Sequence, residues 1–274
     1  MPGASPDAIG IATWCLDPSA PDALVRAAAL GFRSVHVDFG SPAIPGCLDS
    51  GAAIDTLRRL ARQQGATLLA LALNFVNEVP LDADAAAGDG IERGIRAAVT
   101  AAGQLDIPVV VVPSFEQAAI RNDDALRQYA RRVRCACIEA ASSGTTMVAS
   151  ETPLGARDLL RLAALVDHPR FRILLDTQNP AIAGHDAVEI VEQVSDLLWP
   201  EVHVKDGAGG MGNRPLGAGD SGLARTLRAA VRAGFARTWI LESEWSSGDA
   251  GWLDDRRRLE TMLAAAGEAH AGRG

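Results

Sequence analysis

The segment 201–207 of this chain is Glu201-Val202-His203-Val204-Lys205-Asp206-Gly207. Its alternation of polar and apolar residues predicts a short β-strand that directs His203 and Lys205 to one face and the two valines to the other. An imidazole and an ammonium group on one face repel each other when both are charged, and neither buries well beside apolar groups. We therefore expect an anionic group or a metal ion between them, which makes this strand part of a functional site.

Other apolar runs, separated by longer helical patterns, are similar to this strand in length. With it they give eight predicted strands: residues 9–15, 34–39, 67–75, 107–113, 145–151, 171–176, 201–206 and 238–244. Several runs are continuously apolar, as expected of parallel strands covered on both faces. The intervening segments, such as 22–31 and 223–234, have apolar residues three and four positions apart and end in a glycine suited to a left-handed helix cap.

This alternation of strands and helices predicts the fold. Eight strands alternating with eight helices over roughly 250 residues are what a (β/α)8 barrel requires. An open doubly wound sheet usually has fewer strands in a smaller unit, so the pattern favours the barrel. The predicted fold class is therefore α/β, a (β/α)8 TIM barrel. No linker or break in composition divides the 274 residues, so we expect one domain over residues 1–274.

Composition and charge limit the classes of function. The hydrophobic content of 48% and the charged content of 22% are those of a globular protein with a large core. A net charge of −8 argues against nucleic-acid binding, which needs a basic surface. No apolar run reaches the roughly 20 residues of a spanning helix, and the first residues lack the pattern of a signal peptide, so we expect a cytoplasmic protein without a membrane partner. The few, unevenly spaced cysteines indicate reduced thiols.

Three carboxylates end predicted strands, at positions equivalent to that of His203. They are Glu151 on strand 5, Asp176 on strand 6 and Glu242 on strand 8. A barrel brings the C-terminal ends of its strands into one ring, so these side chains are expected to converge. Buried anions this close are tolerated only around a cation or bound protons. An oxygen-rich set with one nitrogen suits one divalent metal ion, with Mn²⁺ favoured and Mg²⁺, Co²⁺ or Zn²⁺ allowed.

Several motifs carry a family resemblance: Ala27-Ala28-Ala29-Leu30-Gly31-Phe32, His203-Val204-Lys205-Asp206, Pro215-Leu216-Gly217-Ala218-Gly219, and the acidic residues on strands 5, 6 and 8. Over nearly its whole length the chain resembles the xylose isomerase-like barrels of the sugar phosphate isomerase/epimerase group. The resemblance implies that Glu151, Asp176, His203 and Glu242 are the metal ligands. It also implies that Glu151 and Glu242 move a proton on opposite sides of an enediolate, and that Arg214 binds the substrate.

Two positions depart from the sugar-binding pattern of that family. Many of its epimerases have a histidine three residues after the strand 6 aspartate, where this chain has Asn179, and the usual strand 2 glutamate is His36. We expect Asn179, His36 and Asn74 on strand 3 to contact the substrate. A hydrogen-bonded structural role is an equal alternative for His36 and Asn74.

Lys205 and Trp14 are further candidates for contact with the substrate. Lys205 is the only lysine in the chain, and its ammonium group suits the charge that develops on an enediolate. The alternative for Lys205 is an ion pair with Asp206 or Glu244. Trp14, at the end of strand 1, offers an apolar wall for a sugar ring or simply caps the barrel.

The segments 77–90 and 207–220 are the longest irregular connections, and both lie on the face that carries the site. That position allows them to close over a substrate. The second contains Gly207-Ala208-Gly209-Gly210-Met211-Gly212, which fits a dinucleotide-binding string. Residues 213–215 follow it instead of a helix, so we expect no nicotinamide cofactor and interpret the glycines as a mobile loop over the barrel mouth.

The chemistry of the predicted site indicates proton transfer next to a carbonyl group. A metal ion that holds adjacent carbonyl and hydroxyl oxygens acidifies the C–H bond between them, and a carboxylate accepts the proton. This predicts a metal-dependent isomerase or epimerase of a small polyhydroxy carbonyl compound such as a ketose or an inosose. The alternatives are a dehydratase that uses the same site and a non-catalytic sugar-binding or complex-forming subunit. The sequence allows a homo-oligomer without indicating one.

Overall fold

The computed structural model describes residues 8–16, 20–41, 47–83, 85–144, 146–244 and 248–271. Within these ranges eight parallel strands form a closed barrel in chain order, which confirms the predicted (β/α)8 fold. The strands are β1 (Ile9–Ala12), β2 (Ser34–Asp38), β3 (Thr67–Ala72), β4 (Val109–Pro113), β5 (Met147–Glu151), β6 (Phe171–Asp176), β7 (Leu198–Val204) and β8 (Thr238–Leu241). Pairing of Ile9 with Trp239 joins the first strand to the last and closes the barrel.

The connections between the strands carry the α-helices. In the described part of the chain they are α1 (Ala20–Ala29), α2 (Gly51–Gln64), α3 (Ala85–Gln104), α4 (Asp123–Ser143), α5 (Ala156–Val166), α6 (Asn179–Ile182), α7 (Ala187–Val194), α8 (Leu223–Ala233) and α9 (Asp249–Ala271). In α5, Leu159, Leu162 and Val166 recur at helical spacing and are all buried, which explains why the helix packs on the barrel. α8 ends as predicted, at Gly234 with a φ of 72°. None of these helices is long and apolar enough to span a bilayer.

Two strands end earlier than their apolar runs. β1 stops at Ala12 and β3 stops at Ala72, and short 3-10 turns follow them at Thr13–Cys15 and Asn74–Glu78. The apolar pattern continues past the ladder because residues after the strand stay buried at the barrel end, as Leu73 does. Hydropathy therefore marks burial here and overestimates the length of the strand.

The last two strands also differ from their predicted bounds. β8 ends at Leu241, so Glu242 is the first residue beyond the ladder. β7 begins at Leu198, earlier than predicted, because Trp199 and Pro200 interrupt the alternation on which the prediction relied. The remaining strands agree with their predicted bounds to within two residues.

Strand register places the polar site directly above the apolar interior of the barrel. Ala149 on β5 and Leu174 on β6 belong to a small buried cluster that is separate from the larger core between barrel and helices. Because side chains alternate along a strand, Glu151 and Asp176, two positions further on, point to the same side. Asp176 pairs with His203 across β6 and β7, so the ligand candidates form one layer at the C-terminal end of the barrel.

Candidate metal centre

Four side chains of the types that bind metal ions meet at the mouth of the barrel. Each of Glu151, Asp176, His203 and Glu242 offers an atom that lies within 4.8 Å of the corresponding atoms of the other three. Three of them end or lie in β5, β6 and β7, and Glu242 follows β8. Glu151, Asp176 and His203 are buried and Glu242 is half-buried. The convergence expected from the strand ends is therefore present.

One oxygen of each carboxylate is held by the protein. Oδ1 of Asp176 accepts hydrogen bonds from the backbone N–H groups of Gln178 at 2.7 Å and Asn179 at 2.5 Å. The side-chain amide of Asn179 donates to Oε1 of Glu151 at 2.8 Å. The indole N–H of Trp14 donates to Oε1 of Glu242 at 3.1 Å. These donors orient the carboxylates. The second oxygen of each carboxylate is thereby available as a metal ligand.

The second oxygens and one imidazole nitrogen face each other. Nδ1 of His203 lies 3.2 Å from Oε2 of Glu151 and 3.2 Å from Oε2 of Glu242. Among the described residues, this nitrogen and Oδ2 of Asp176 are buried polar atoms without an aligned hydrogen bond. A buried polar atom normally has a hydrogen-bond partner, so these two atoms need an explanation. Oδ2 of Asp176 has the ammonium group of Lys205 at 3.1 Å, whereas Nδ1 of His203 faces carboxylate oxygens. A cation bound among the four ligand atoms would satisfy this nitrogen, and the donor set of three oxygens and one nitrogen fits a divalent ion.

Lys205 brings a positive charge to the same place. Its Nζ lies 2.6 Å from Oε2 of Glu242 and 3.1 Å from Oδ2 of Asp176. Lys205 therefore forms an ion pair, as in the alternative from the sequence, but the partners suggested there, Asp206 and Glu244, were wrong. The reason is that the side chain of Lys205 points into the barrel mouth, whereas the carboxylate of Asp206 accepts hydrogen bonds from the loop that follows it.

The charges at the centre shift the pKa values of its groups. Burial alone would lower the pKa of Lys205 and of His203, but the neighbouring carboxylates raise both. Burial raises the pKa of Asp176, which Lys205 only partly offsets. Burial acts on Glu242 in the same sense, yet Lys205 and His203 hold the pKa of Glu242 well below its usual range. The pKa of Glu242 is lowered while that of Asp176 is raised, because Glu242 is closer to the ammonium group of Lys205 and also faces the imidazole of His203.

His36 lies behind the ligand set. Its Nδ1 is 3.0 Å from Nε2 of His203 and its Nε2 is 2.7 Å from Oε2 of Glu201. All three side chains are buried, and burial lowers the pKa of His36. The structure thus gives both nitrogens of His36 a partner, as in the structural alternative. Sequence reasoning did not assign a role to Glu201, although it stands two residues before His203 and shares its strand face.

Asn179 and Trp14, both predicted to contact the substrate, lie at the centre. Asn179 is buried, and among the described residues its Oδ1 has no hydrogen-bond partner. This oxygen is free to accept a hydrogen bond from a hydroxyl group. Trp14 is half-buried, with its ring 5.9 Å from the ring of His203. Their substrate contacts remain predictions.

Asn74 and Arg214 are placed differently. The backbone N–H of Asn74 donates to Oδ1 of Asp38 at 3.3 Å, in the turn after β3. Arg214 is exposed, and its described contact is from its backbone N–H to the carbonyl of Asp206. Asp38 itself was missed by sequence reasoning: it ends β2 at the barrel mouth, and burial raises its pKa to about 6. The signal that could have indicated it was its position at a strand end.

Asp206 organises the segment 207–220 above the centre. Its Oδ1 accepts hydrogen bonds from Gly207 N–H at 3.0 Å and from the Ser221 hydroxyl at 2.7 Å. Its Oδ2 accepts from Gly217 N–H at 2.9 Å and from Gly219 N–H at 3.0 Å. A Cβ atom at Gly219 would lie 2.2 Å from Oδ1, so this approach requires glycine. This carboxylate holds the two ends of the segment together, and the mobility of the glycines between them stays a prediction.

Fold and site together define a (β/α)8 barrel with a candidate metal centre at the C-terminal ends of its strands. A family model described as xylose isomerase-like TIM barrel matches residues 24–262. The chain belongs to this family, as the motifs in the sequence indicated.

Similar proteins include epimerases. The chain is 33% identical over 261 residues to 2-epi-5-epi-valiolone 7-phosphate 2-epimerase from Actinoplanes sp., covering 94% of each chain. It superposes on the structure of L-ribulose 3-epimerase with a TM-score of 0.74 at 17% identity, covering 95% of this chain and 96% of that one. A xylose isomerase-like TIM barrel protein from Mycobacterium smegmatis in complex with magnesium gives a TM-score of 0.68 at 17% identity, covering 90% and 88%. The two structural likenesses show the shared fold.

Proposed function

We propose that this protein is a divalent-metal-dependent epimerase of a small polyhydroxy ketone and that it acts through an enediolate. The observation that carries the proposal is the orientation of the carboxylates. Each of Glu151, Asp176 and Glu242 has one oxygen held by a donor. The other oxygens of the two glutamates face Nδ1 of His203, and one atom of each of the four side chains lies within 4.8 Å of the others. The identity of 33% with an epimerase over 94% of the chain supports the same reaction class.

The four side chains would hold one metal ion. Mn²⁺ is favoured, with Mg²⁺, Co²⁺ and Zn²⁺ as alternatives, because the donors are mainly carboxylate oxygens. The name of the magnesium complex of the M. smegmatis barrel supports a hard divalent ion. When bound, the ion would polarise the carbonyl group of the substrate and so acidify the neighbouring C–H bond.

Glu151 and Glu242 are proposed as the acid and base. The C–H bond breaks when one glutamate takes the proton, and the electron pair moves into the enediolate. The other glutamate then delivers a proton to the opposite face of the same carbon. Glu151 is the better first base, because the oxygen of Glu242 that faces His203 also lies 2.6 Å from the ammonium group of Lys205, which makes Glu242 the weaker base, whereas the described ammonium contacts do not include Glu151. Glu242 is ionised at the start, so it passes on a proton from the ammonium group of Lys205. After the reaction Glu151 loses its proton to solvent and Lys205 regains one.

The remaining polar groups would orient the substrate and balance its charge. Lys205 lies where a negative charge would develop on the enediolate, and electrostatic stabilisation of that kind is a large contribution to catalysis. Oδ1 of Asn179 is a buried acceptor for a substrate hydroxyl. Trp14 offers an apolar surface beside His203. Arg214, exposed on the segment 207–220, is proposed to bind the substrate when the segment lies over it.

A phosphorylated ketone is the first substrate class to test, because the name of the Actinoplanes relative specifies a 7-phosphate. The experiment uses proton NMR in deuterated buffer with Mn²⁺- or Mg²⁺-loaded protein, phosphorylated polyhydroxy ketones and matched unphosphorylated ketoses. Epimerase activity predicts exchange of one C–H with deuterium and formation of an epimer with the same composition. Loss of water would indicate the dehydratase instead. A fully loaded protein that exchanges no candidate C–H would contradict the proposal.

A further inference from the structure

A line of three buried side chains runs beneath the candidate metal centre. Nε2 of His36 lies 2.7 Å from Oε2 of Glu201, and Nδ1 of His36 lies 3.0 Å from Nε2 of His203. The two histidines are 0% exposed and Glu201 is 4% exposed. The other ring nitrogen, Nδ1 of His203, faces the carboxylates of Glu151 and Glu242. The line therefore connects a carboxylate outside the centre to an atom inside it.

The carboxylate at the far end determines where the hydrogens lie. An ionised carboxylate accepts hydrogen bonds and does not donate them, so Glu201 requires a hydrogen on Nε2 of His36. With one hydrogen on each ring, Nδ1 of His36 is then an acceptor. Nε2 of His203 must carry the hydrogen that this acceptor receives. The lone pair of His203 is consequently on Nδ1, the atom that faces the carboxylates of the centre.

We propose that Glu201 and His36 are positioning residues that hold His203 in the tautomer and ring orientation needed to bind a divalent metal ion through Nδ1. The inference rests on the metal centre of the proposed function. A metal-binding histidine usually donates its other N–H to a carboxylate, a carbonyl group or water, and this fixes its tautomer and raises its basicity. In this barrel a second imidazole lies between, so Glu201 acts across two hydrogen bonds.

Replacing Glu201 by glutamine tests whether Glu201 controls the tautomer of His203 or only gives His36 a hydrogen-bond partner. Glutamine has nearly the same volume and keeps an oxygen acceptor, but its amide group also donates hydrogen bonds. When the amide donates to His36, both histidines can adopt the opposite tautomer, which puts a hydrogen on Nδ1 of His203. The ring that binds the metal would then have its lone pair on the wrong nitrogen for part of the population.

The test titrates the metal-depleted full chain with Mn²⁺ at a single pH and follows free Mn²⁺ by electron paramagnetic resonance. Glu244→Gln is the matched control, because Glu244 is exposed just beyond β8 and loses the same charge. We expect Glu201→Gln to weaken Mn²⁺ binding about 10- to 100-fold, and the control to bind as the wild type does. Equal affinity in Glu201→Gln and the wild type would overturn the inference.

A second measurement needs no variant. NMR of the Mg²⁺-loaded wild type with ¹⁵N-labelled histidine should show a hydrogen on Nε2 of both His36 and His203 and none on Nδ1 of His203. A hydrogen on Nδ1 of His203 in the loaded protein would overturn the inference even where metal binds tightly. A wild type that binds neither ion would overturn the proposed metal centre itself, so the failure of that centre is distinguishable from the failure of the positioning role.

Discussion

Nζ of Lys205 lies 2.6 Å from Oε2 of Glu242, so one of the two proposed acid/base residues shares its charge with a cation. The counterpart, Glu151, accepts its hydrogen bond from the neutral amide of Asn179. Three carboxylates, one ammonium group and a divalent ion carry no net charge together. The centre would therefore be neutral before the reaction, and the ammonium group is available to offset charge that appears on the substrate.

Lys205→Met tests this electrostatic role. The change removes the cation beside the enediolate and leaves all four ligand candidates, so we expect kcat to fall about 100-fold with metal content unchanged. Steady-state kinetics and elemental analysis measure the two quantities on one preparation. Lys205→Arg is the charge-matched control. If Lys205→Met kept the wild-type kcat, Lys205 would have only a structural role as an ion-pair partner.

Glu151→Gln and Glu242→Gln separate proton transfer from metal binding. Glutamine keeps an oxygen ligand but loses the carboxylate that carries a proton, so kcat should fall at least about 100-fold in each variant. If Glu151 is the first base, Glu242→Gln should still exchange the substrate C–H with deuterium while it fails to form the epimer. NMR in deuterated buffer detects the difference. Both variants turning over at the wild-type rate with metal bound would disprove the enediolate mechanism.

Metal affinity should depend on pH, because a proton and the metal ion compete for His203. In the metal-free protein the carboxylates raise the pKa of His203, so its charged form stabilises the fold below about pH 6.5. That contribution is lost as the pH rises through the raised pKa. Metal needs the neutral ring, so affinity should rise about tenfold per pH unit below that pKa and then level off. Calorimetric titrations in buffers of different ionisation enthalpy measure the released proton, and pH-independent affinity would argue against His203 as a ligand.

Asp206→Ala tests the carboxylate that organises the segment above the centre. The change leaves the N–H groups of Gly217 and Gly219 without their acceptor, which should cost about 2 kcal/mol in the free energy of unfolding. Urea denaturation measures the loss, and KM should increase because the segment no longer lies in place over the mouth. Asp220→Ala, at an exposed position of the same segment, is the control and should change neither quantity.

The barrel and the four ligand candidates were predictable because both depend on short-range patterns. Apolar runs indicated the strands, and the position of Glu151, Asp176 and Glu242 at strand ends indicated their convergence once the runs closed into a ring. Glu242 was placed correctly even though its strand ends one residue earlier. A residue just beyond a strand end can still reach the centre, because the backbone there continues in the direction of the strand.

The contacts around the ligands were not predictable from the sequence. Trp14 donates to Glu242 across 228 positions of the chain, and His36 meets Glu201 across 165. Such pairs depend on the register between strands, and a shift of one residue would point either side chain to the other face. The partners of Lys205 were mistaken for the same reason: nearby acidic residues in the sequence are not the ones nearest in space.

The hydrogen bond from Trp14, in the turn after the first strand, to Glu242 after the last strand has a consequence for how the protein is made. A nascent chain leaves the ribosome from its N-terminus, so the segments bearing Glu151, Asp176 and His203 emerge before the one that completes the ring. Until the segment after β8 is available, Glu151, Asp176 and His203 lack the fourth ligand candidate, Glu242. If the proposed centre holds a metal ion, we expect loading only after residue 242 has emerged, so chains arrested before that residue should stay incompletely folded however much metal the cell supplies.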